Sequence, residues 1–84
     1  MNYEMNHHLV KAIVDVAIFL EFSDDGVIDP DAATQALEQM AAELQLMDVG
    51  ARESLCSRLN QVARTYSGEK ADFVGGLSEV FGLE

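Results

Sequence analysis

The sequence predicts an all-α domain, a small bundle of four helices at about 3–22, 30–47, 49–66 and 69–81 joined by short antiparallel connections. Three observations carry that reading. Apolar residues recur at steps of three and four along most of the chain. Single breaks rich in Asp, Ser, Gly and Pro separate the periodic runs. The 84 residues leave room for one domain only, here 1–84.

Helix 1 has the longest apolar run. Met5, Leu9, Ala12, Ile13, Val16, Ala17, Phe19 and Leu20 fall on one broad face, read as inward. Glu4, His8, Lys11 and Asp15 form a polar stripe opposite, and Lys11 and Asp15 stand at the i,i+4 spacing of an attractive pair. The many β-branched residues (Val10, Ile13, Val14, Val16, Ile18) also suit a strand, but the length and the polar stripe favour helix. Ser23-Asp24-Asp25-Gly26 ends it, since these residues suit the turn conformations required there.

Helix 2 starts at a capping Asp29 with Pro30 in first position and Asp31 in the first turn. Ala33, Ala36, Leu37, Met40, Ala41, Leu44 and Met47 form a narrow apolar seam. Asp48 is the expected cap of helix 3, whose inner stripe is Leu55, Leu59, Val62, Ala63 and Tyr66. Ser67-Gly68 breaks the chain again. Helix 4 turns Phe73, Val74, Leu77, Val80 and Phe81 inward, although Gly75-Gly76 costs it about 1 kcal/mol per glycine relative to alanine. Leu37, Met40, Leu44, Leu59, Val62 and Leu77 are the expected core.

Composition narrows the function classes. Fifteen acidic and five basic side chains give a formal charge of −10, which argues against nucleic acid and anionic membranes as partners. The 49% hydrophobic content separates the chain from acidic disordered segments. The single cysteine rules out an internal disulfide framework. No basic segment leads a long apolar one, and the stretch 9–22 is interrupted by Lys11, Asp15 and Glu21. A cytoplasmic address is the simplest expectation.

No motif points to catalysis. Around Gly26 the chain has the outline of a calcium loop, with Glu21, Ser23, Asp25 and Asp29 at positions 1, 3, 5 and 9. The twelfth position, which needs a bidentate Glu, is Ala32. An acidic turn followed by a helix cap explains the same residues. His7 and His8 point about 100° apart on a helix and lack the i,i+4 partner of a metal pair. Cys56 lies about two turns inside helix 3, with only Arg52 to lower its pKa, and reads as a small, partly buried hydrophobe. Met5, Met40 and Met47 read as core. No P-loop, no serine with an evident base and no Asp-Ser-Leu carrier motif is present. No cofactor and no metal site is therefore expected.

The expected function is a non-enzymatic protein–protein interaction module. Its most concrete form is a small acidic inhibitor of immunity type, acting on a basic partner. The alternatives are a structural or regulatory homodimer without ligand, and a weak divalent-cation binder using Asp24, Asp25, Asp29 and Asp31. The candidate interface is Val14, Ile18 and Phe22, because the outward direction marked by His8, Lys11 and Asp15 continues onto Ile18 and Phe22 with Val14 beside them.

Overall fold

A computed structural model describes residues 5–84. Helix α1 (His7–Phe22) starts where Asn6 Oδ1 accepts hydrogen bonds from the backbone N–H groups of His8, at 2.8 Å, and Leu9, at 3.4 Å. Two otherwise unpaired amides are thereby satisfied. Met5 and Asn6 therefore precede the helix rather than lie within it, and Tyr3 and Glu4, expected in its first turn, lie outside the described residues. After Phe22 the Asp24 side chain accepts from Gly26 N at 2.9 Å, holding the turn that the acidic sequence implied.

Helix α2 (Pro30–Leu44) has the expected cap: Asp29 Oδ2 accepts from Ala32 N at 3.0 Å, with Pro30 beside it. It ends before Met47, in a turn closed by hydrogen bonds from Leu46 N to Glu43 O and from Met47 N to Leu44 O. Helix α3 (Val49–Ala63) likewise stops short of Tyr66, where Thr65 and Tyr66 turn back onto Val62 O and Ala63 O. Asp48 and Ser67 occupy cap positions without making a side-chain cap bond.

The predicted fourth helix is two helices. Helix α4 (Gly68–Gly75) and the one-turn helix α5 (Leu77–Val80) are separated by Gly76, at φ −96° and ψ −1°. The glycine pair thus divides the segment instead of merely weakening it. The chain end adds a feature that apolar spacing does not reveal. Gly82 has φ +69°, Gly82 N donates to Glu79 O, and Leu83 N donates to Ser78 O. This is the paired-bond glycine termination of a helix, with the apolar residue after the glycine packed back on the helix. Leu83 is accordingly buried.

The core is drawn from Val10, Val14 and Ala17 of α1, Leu55, Leu59 and Val62 of α3, Val74 of α4, and Leu77, Phe81 and Leu83 at the end of the chain. Helix α3 packs on α4, α1 and α5, whereas the main partner of α2 is α1. The molecule measures 44 × 27 × 20 Å. Among the expected core residues, Leu59, Val62 and Leu77 are fully enclosed. Leu37, Met40 and Leu44 are only half-buried, because α2 has a neighbour along one side and water along the rest.

Candidate functional site

Helix α1 has two apolar faces and the fold covers one of them. Val10, Val14 and Ala17, spaced four and three residues apart, are fully buried against the rest of the bundle. On the far side, Leu9, Ala12, Val16 and Phe19 follow at steps of three, four and three residues, a single stripe of the helix surface. Leu9 is 54% exposed, Val16 47% and Phe19 49%, and Ala12 is exposed as well. His8 and Asp15 lie along one edge of this stripe, both exposed. A helix apolar all round ordinarily has neighbours all round.

This corrects part of the orientation read from the sequence: Ala17 and Leu20 are buried and Met5 and Ile13 pack against the core as expected, whereas Leu9, Ala12, Val16 and Phe19 face out. From the sequence, Leu9, Ala12, Val16 and Phe19 read as inward because that face collects more apolar residues. The bundle instead takes Val10 and Val14, together with Ala17 and Leu20 from the expected face. The polar stripe explains why. Lys11 Nζ donates to Asp15 at 2.7 Å and to the Tyr66 hydroxyl at 2.9 Å, so Lys11 turns toward the end of α3 rather than straight into water. The ammonium stands 5.4 Å from the Tyr66 ring centre, beyond the hydroxyl and not over the ring face, so the contact is a hydrogen bond rather than a cation–π pair. Asp15 first, and Tyr66 second, hold the Lys11 pKa above its ordinary value.

The three residues expected at an interface separate accordingly. Val14 is fully buried and cannot contact a partner, which corrects that assignment: it lies on the face that α3 and α4 cover. Ile18 is half-buried and packs against the core. Phe22 remains 39% exposed, with its ring edge-on to Phe73 of α4 at 5.5 Å between centroids. Helix α4 thus covers part of the end of α1, and Phe22 borders the open stripe. A warning was present in the sequence: α1 carries only Lys11, Asp15 and Glu21 as charged residues, too few to mark one solvated side.

The remaining candidates do not assemble a site. Among the described residues, no three His, Cys, Asp or Glu side chains converge to hold an ion. Asp24 engages the Gly26 amide within the α1–α2 connection and Asp29 the Ala32 amide in the first turn of α2, so both act in local structure. The His7 and His8 rings stand edge to face, 5.7 Å apart. Cys56 is half-buried beside an open cleft formed with Val49, Arg52, Glu53, Leu83 and Glu84. Burial pushes its thiol pKa up, the Glu84 and Glu53 carboxylates add to the rise, and Arg52 opposes it. The thiol is therefore further from a reactive thiolate than a free cysteine is. No described helix is long and apolar enough to cross a membrane.

Among the described residues, fold and surface together define a small all-α bundle with an uncovered apolar face on α1. No family model, curated protein or solved structure matches the chain.

Proposed function

We propose that the protein is a non-catalytic interaction module that docks another protein through the open face of α1. The carrying observation is the stripe Leu9, Ala12, Val16 and Phe19, half-exposed on a helix whose opposite side already fills the core. Apolar area left in water forgoes about 25 cal/mol per Å² of burial. Contiguous patches of this kind, edged by polar groups, are typical of protein contact sites.

The immunity-type reading, binding to a basic partner, draws on a different observation. Residues 12–51 contain no Lys or Arg but nine acids, several of them exposed around the α1–α2 connection and on α2. Such a surface would speed encounter with a basic protein. A cytoplasmic address fits both readings.

The test compares the wild-type chain with Val16→Asp as baits. Partners, including the chain itself, that bind wild type and are lost with Val16→Asp support docking through α1. Equal binding to both baits removes α1 as the docking face. Circular dichroism of Val16→Asp checks that the helix content is unchanged.

A further inference from the structure

We infer that the open face of α1 is covered by a second copy of this chain, the two α1 helices packing antiparallel about a two-fold axis. The inference rests on the docking role proposed for this face and names its occupant. The first reason is the spacing. The steps between Leu9, Ala12, Val16 and Phe19 are three, four and three, which read the same in both directions. An antiparallel copy centred near residue 14 therefore sets Leu9 against Phe19 of the second copy and Ala12 against its Val16. Alternating steps of three and four are also the spacing of a helix-to-helix seam. A two-fold contact must be self-complementary, and a palindromic stripe meets that requirement without further adjustment. The small residues lie toward its centre, where Ala12 lets the backbones approach, and the large ones close its ends.

Charge is the second reason. Helix α1 has one base and two acids, so nine of the ten net negative charges of the chain lie elsewhere. Two strongly acidic chains can meet with least repulsion through this face. A basic partner would gain most of its attraction from other surfaces. Near the axis the two Asp15 side chains come to the same edge of the seam, and each is already engaged by its own Lys11 at 2.7 Å.

The area sets the strength. Leu9, Val16 and Phe19 offer roughly 300 Å² per protomer, about half of what the smallest stable specific interfaces bury on each side. The dimer is thus a weak one that dissociates on dilution.

Sedimentation equilibrium across a dilution series tests it, on wild type and Val16→Asp. The expected result is a concentration-dependent wild-type dimer and an association about tenfold or more weaker in the variant. A second measurement does not depend on Val16. The triple variant Leu9→Cys, Phe19→Cys, Cys56→Ser places two thiols ten residues apart on one helix, about 15 Å, too far to bridge within a chain. Oxidation at high concentration should yield a covalent dimer whose mapped disulfides join position 9 to position 19. A wild-type monomer at millimolar concentration overturns the inference, as do disulfides joining 9 to 9 and 19 to 19, or a Val16→Asp protein that dimerises like wild type. A monomeric wild type that still binds a different protein in a Val16-dependent way defeats the self-association and leaves the docking role standing.

Discussion

Helices α2 and α3 have the same length and opposite fates. Helix α2 carries an almost unbroken apolar seam at helical spacing, yet Ala33 is its one buried residue. Helix α3 is the more polar of the two, yet it buries Leu55, Leu59 and Val62. The difference lies in neighbours. Helix α3 is flanked by α1, α4 and α5, while α2 leans mainly on α1. An apolar stripe states which side of a helix should be covered. The number of elements that arrive there decides how well it is.

The largest effect that can break this comparison is a pair of truncations. Leu59→Ala removes a fully enclosed side chain and should cost about 2–5 kcal/mol, transfer and cavity terms together. Leu37→Ala, made on the half-buried seam of α2, should cost about 1 kcal/mol, since water already reaches part of it. Urea unfolding followed by circular dichroism measures both. Equal losses would mean that α2 is as well packed as α3.

Helix α2 also has a polar tether to the far end of the molecule. Gln45 Nε2 donates to Phe81 O at 2.8 Å, directly beside Gly82. A Cβ at Gly82 would stand 2.6 Å from that nitrogen, on a backbone whose φ of +69° already disfavours side chains. Gly82→Ala should therefore cost about 1–2 kcal/mol. Added exchange of amide hydrogens at the C-terminal end of α2 would show the tether failing. Unchanged exchange there would show that α2 does not depend on it.

The smallest effect concerns α3 alone. Because the Cys56 pKa is raised in the folded protein, its thiolate is scarcer there than in the unfolded chain. Iodoacetamide at pH 8 should label the native protein more slowly than the urea-unfolded one. The linked stability is complete below the unfolded pKa and declines as pH rises from that value toward the folded one. Equal labelling rates would place the thiol in open water and weaken the picture of α3 as the enclosed helix.

The legible parts of the fold were those governed by local chemistry. Asp29 and Pro30 mark the start of α2, and the Lys11–Asp15 pair stands at its expected spacing. The all-α class followed from periodicity along the whole chain. The orientation of α1 was only partly legible, because both its faces are apolar and Tyr66, in the turn beyond the end of α3, draws Lys11 inward. Val14 was misplaced for that reason. The divided fourth helix and the burial of Leu83 depend on backbone conformations at Gly76 and Gly82, which apolar spacing does not record.

The charge segregation fixes what chemical probes can see. Between Lys11 and Arg52 trypsin finds nothing to cut, so residues 12–52 travel as one peptide that contains most of α1 and all of α2. Amine-directed labels are equally blind to that stretch. A protease that cleaves after glutamate meets Glu21, Glu38 and Glu43 there, all exposed. Trypsin is therefore silent between residues 12 and 52, and the glutamate-directed enzyme, which also cuts elsewhere, is the reagent that would register the covering or uncovering of the α1–α2 side.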